Sequence, residues 1–76
     1  MNNERRKKIK KVIESLQKHQ QNIESIMEEE NDFLDNAPEN LAESERYEKS
    51  QNAIDYLTEA IDNIDEAIGS LEEAQD

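Results

Sequence analysis

The chain has 76 residues, 33% of them apolar and 38% charged, with 20 acidic and 9 basic side chains and a formal net charge of −11. That length allows one small domain, 1–76, and such a composition is shared with chains that stay disordered unless their few apolar residues are patterned. There is no cysteine to staple a fold or hold a metal, and the basic start is followed by no uninterrupted apolar run, so neither a signal peptide nor a membrane span is expected. These features fit the cytoplasm.

The first predicted element is a helix from residue 3 or 4 to 35, with Asn2 or Asn3 as its cap. No Gly or Pro interrupts it before Pro38, and at 1.5 Å per residue it is about 46 Å long. Its large apolar residues recur with a seven-residue period. With Ile9, Leu16, Ile23 and Glu30 as row a, row d is Val12, His19, Ile26 and Phe33, and row e is Ile13, Gln20, Met27 and Leu34.

The connection is 36–43. Pro38 pushes its predecessor away from helical dihedrals. Asn36, Asn40 and Ser44 are nested N-cap candidates, the first two with Glu39 and Glu43 at capping-box spacing. They suggest a short turn at Pro38–Leu41, with Leu41 folding back over the end of the core. A connection this short predicts antiparallel neighbours.

A second helix is predicted from 44 to 74 or 75. It carries three heptads, AIDYLTE, AIDNIDE and AIGSLEE. Row a is Ile54, Ile61 and Ile68, row d is Leu57, Ile64 and Leu71, and row g is the alanine ridge Ala53, Ala60, Ala67 and Ala74. Residue numbers summing to 80 pair Ile9 with Leu71, Val12 with Ile68, Leu16 with Ile64, Ile26 with Ile54 and Phe33 with Tyr47, which predicts an all-α antiparallel two-helix hairpin. Each stripe is three rows wide, more than a two-helix seam uses. A homodimer forming a four-helix bundle is therefore expected, its self-association carried by Ala53, Ile54, Leu57, Ala60, Ile61, Ile64, Ala67, Ile68 and Leu71.

Catalytic and metal chemistry have little to stand on. There is one histidine and no Gly-rich phosphate loop or nucleophile motif, so no enzyme, cofactor, metal or small-molecule substrate is expected. His19 reads as a metal ligand, a pH switch or a tolerated polar residue opposite Ile61. No Glu-x-x-His pair is present, and the acidic run Asp62–Glu73 has Ala67 where a calcium loop requires glycine.

Charge is distributed unevenly: residues 1–20 carry +5, 21–43 carry −8 and 44–76 carry −8. The basic cluster Arg5–Lys11 admits Rop-like nucleic-acid binding, Rop being the RNA-binding hairpin dimer of plasmids. It also admits simple compensation of the acidic end of helix 2 beside it, and no aromatic residues are interleaved for base stacking. Glu28, Glu29, Asp32, Asp35, Glu39 and Glu43 at the loop end, with Asp55, Glu59, Asp62 and Glu66 on helix 2, form a candidate surface for a basic partner. Carboxylates along a rigid rod can imitate a phosphate backbone; the plainer alternative is a solvated acidic face.

Pro38-Glu39-Asn40-Leu41, then Ser44-Glu45-Arg46-Tyr47-Glu48-Lys49 and the Ala-Ile heptads, resembles a group of short, acidic, uncharacterised bacteriophage and prophage proteins. Those also open with a basic segment and a Glu-rich helix, so the similarity spans nearly the whole chain. It implies a phage accessory protein, acting in the host cytoplasm, that binds and redirects or blocks a host protein; a defence nuclease is one candidate target for the acidic surface. No activity or functional residues come with it. A structural module that dimerises through its apolar seam is the alternative.

Overall fold

The computed structural model describes residues 1–36 and 45–76. They form two helices, α1 (Asn3–Asp35) and α2 (Glu45–Ala74), packed together as an all-α hairpin. The molecule is a rod of 59 × 15 × 12 Å with a radius of gyration of 17.4 Å; a compact chain of this length has about 11 Å.

The helix ends follow their local chemistry. Asn2 is extended, and its Oδ1 accepts from the Arg5 backbone N–H at 2.8 Å, which satisfies a donor that α1 itself leaves open. At the other end Asn36 is the C-terminal cap of α1. Its backbone N–H and its Nδ2 both donate to the Asp32 carbonyl, at 3.1 and 2.8 Å, so it closes α1. The turn expected at Pro38–Leu41, the fold-back of Leu41, the caps Asn40 and Ser44, and Glu39 and Glu43 lie outside the described residues.

The seam differs from the expected one on α1. Its least exposed side chains are Ile9, Ile13, Leu16, Gln20, Ile23, Met27, Glu30 and Leu34, which are rows a and e. Row d stays out: Val12, Ile26 and Phe33 are 47%, 49% and 45% exposed, and His19 is exposed too. On α2 the seam takes rows a and d, from Tyr47 to Leu71, with Ile68 opposed to α1 as Ile13 is to α2. These two are the buried side chains of the described residues, each 8% exposed. Ile54, Leu57, Ile61, Ile64, Ile68 and Leu71, expected to serve self-association, are thus turned to α1 of their own chain. Ala53 and Ala60 are half-buried on its flank, and Ala67 is exposed.

Across the seam Gln20 faces the turn Ile61–Asp65 of α2. Its amide donates to the Ile61 carbonyl at 3.3 Å and to Asp65 Oδ1 at 2.6 Å. This bond set explains why Gln20, and not His19, takes the polar place in the seam: its amide finds two acceptors across it. At the open end Arg6 Nε donates to the Gln75 carbonyl at 2.9 Å, joining the basic start of α1 to the acidic end of α2.

With so few buried side chains, each carries much of the stability. Ile68→Ala is expected to cost about 2–4 kcal/mol in urea titrations followed by circular dichroism. Tyr56→Ala, at a side chain 72% exposed, should stay within about 0.5 kcal/mol of the parent.

Candidate functional site

The hairpin has two unlike faces, and the row order produces them. Across an antiparallel pair the rows run in the same lateral order, so row d of α1 lies beside row g of α2. Two details agree. Ala53 and Ala60 are half-buried there, and a shallow groove is lined by Phe33 and Glu30 from α1 with Arg46, Lys49 and Ser50 from α2. We call this side the front. Over Val12–Ile26 on α1 and Ser50–Ala74 on α2 it carries no charged residue.

The carboxylates occupy the back and the outer edges. On α2, Asp55, Glu59, Asp62, Glu66 and Glu73 fall at steps of three, four and seven, away from the seam. On α1, Glu28, Asp32 and Asp35 lie on the matching side, whereas Glu29 sits toward the front edge. All of these are exposed, and Glu30 is the one half-buried carboxylate among the described residues. The structure therefore joins three of the four acids expected on α1, and all four expected on α2, into one acidic surface, leaving Glu29 apart. A second shallow groove opens on this side, lined by Glu24, Met27, Glu28, Asn31 and Ile61.

The α2 acids are set against one another. Asp55 and Glu59, Glu59 and Asp62, and Asp62 and Glu66 are three or four residues apart, and no basic residue follows Lys49 in the chain. Like charges at that spacing destabilise a helix. Only Asp65 has a polar partner from α1, the Gln20 amide. The stripe thus works against the helix that carries it.

Among the described residues no three His, Cys, Asp or Glu side chains converge to hold a metal ion, and none of the described helices is long and apolar enough to cross a membrane. In the basic cluster, Arg6 is half-buried and bonded to the Gln75 carbonyl and to Asn3 Oδ1, while Arg5, Lys7, Lys8, Lys10 and Lys11 are exposed. No protein-family model, no curated protein and no solved structure matches the chain.

The uncharged front was not read from the sequence, although the signal was there. The adjacent pairs Val12-Ile13, Ile26-Met27 and Phe33-Leu34 mark two competing rows on α1, of which a seam takes only one.

Replacing Asp55, Glu59, Asp62 and Glu66 by Asn or Gln removes three like-charge pairs. The variant is expected to gain about 1 kcal/mol, read as a higher melting temperature. Salt should narrow the difference, because it screens the same repulsion.

Proposed function

We propose that the chain is a non-enzymatic binding protein whose acidic back engages the basic surface of a protein partner and blocks it, as a phosphate-backbone mimic would. The observation that carries this reading is the stripe Asp55, Glu59, Asp62 and Glu66, exposed, without basic neighbours on its helix and costly to the fold. A rod 59 Å long holds such charges in fixed spacing along a channel built for a nucleic-acid strand. The resemblance to phage accessory proteins supports a host protein as the target. A defence nuclease or another nucleic-acid-binding protein has the required basic surface.

Incubating the chain with basic nucleic-acid-binding proteins of a bacterial host, and following their hold on DNA, tests this. The expected result is displacement of DNA from at least one of them, weakening with salt. The variant with Asn or Gln at 55, 59, 62 and 66 should lose at least about tenfold in potency. Equal potency of that variant, or no displacement at low salt, would refute the reading. A direct salt-sensitive shift of DNA or RNA by the chain alone would favour binding through Arg5–Lys11 instead.

A further inference from the structure

The front of the hairpin is an uncharged face with apolar side chains along it. Val12, Ile26 and Phe33 stand about half exposed on it, beside the alanine row of α2. The chain exposes 6086 Å² in all, whereas a compact monomer of its mass exposes about 4,800 Å². The whole rod measures 59 × 15 Å, on the order of the 800 Å² that each partner buries in a stable interface, and the uncharged front is part of that length.

We propose that the front docks a second copy of the chain, turned end for end about a two-fold axis near His19, to make a four-helix bundle. Two observations select a copy. First, the face is self-complementary in form: long uncharged rows that a two-fold lays α1 on α1 and α2 on α2. There the alanines of α2 let the two copies approach closely. Second, the charges select the direction. Residues 19–65, the loop half, carry fourteen acidic and two basic side chains, so −12; the remaining residues carry +1. Loop end beside loop end would bring two −12 halves within about a bundle spacing of 10 Å, close to the screening length of about 8 Å. Loop end beside open end avoids this, and sets Lys8 of one copy level with Glu30, next to Glu29, of the other.

This interface lies on the side away from the acidic back, so it stands or falls separately from the proposed function. The bundle would present one acidic back on each side.

Sedimentation equilibrium up to about 1 mM should show a dimer for the parent chain. Ile26→Glu should weaken it at least about tenfold, with helicity retained because the side chain is half exposed in the hairpin. Gln17→Glu, which adds the same charge on the back, should leave it unchanged. His19→Leu should tighten it, since it adds apolar surface at the axis. With a spin label on Asp35→Cys, the copies should place their labels about 48 Å apart along the rod. A monomeric parent, which would leave the front to a partner of another sequence, overturns the proposal. So does a dimer indifferent to Ile26→Glu, or labels that lie side by side.

Discussion

The constraint on which this molecule turns is a mismatch of three against two. Each helix bears three apolar rows, and a seam between two helices can enclose two. In an antiparallel pair the remaining rows fall on the same side, since lateral order is kept across the seam. One uncharged front follows, built from the leftover row of α1 and the alanines of α2. The carboxylates, kept out of the seam rows themselves except at Glu30, gather on the back and edges. Two unlike faces are therefore a result of row counting before they are a feature of any binding.

Polar groups in the seam are few and each has a structural use. Gln20 interrupts the aliphatic rows at mid-length, and its amide bonds to the Ile61 carbonyl and Asp65 hold the helices at one offset. A slide by one heptad would part these groups and set Thr58 or Glu72 where Asp65 stands. Aliphatic layers alone tolerate such slides better, since one Ile or Leu resembles the next. The polar residue thus supplies uniqueness where the apolar ones supply adhesion.

Much of the architecture was legible in the sequence. Both helices and their limits followed from uninterrupted heptads and capping residues, and the hairpin from the short connection around Pro38. The offset was not. Rows d and e of α1 are almost equal in apolar content, Val12, Ile26 and Phe33 against Ile13, Met27 and Leu34, so periodicity alone could not rank them. What separates them is a side-chain reach: the Gln20 amide meets acceptors on α2, and that is a property of two helices placed together. The acidic surface was legible as composition, since exposed carboxylates need no tertiary information to be placed. Its separation from the front depended on which row the seam took.

The Arg6–Gln75 bond at the open end has a kinetic meaning. It joins residues 69 apart in sequence, a longer span than either bond of the Gln20 amide, while the layers near Leu34 and Tyr47 close a span of about a dozen. Closing a loop costs entropy that grows with its length, so rungs form in order from the connection outward. Each completed rung shortens the loop left to the next. Zipping therefore ends, and opening begins, where Arg6 meets Gln75. Hydrogen exchange should grade along the rod from that pole, and the basic segment of α1 is the part of the chain most often released from its acidic neighbour.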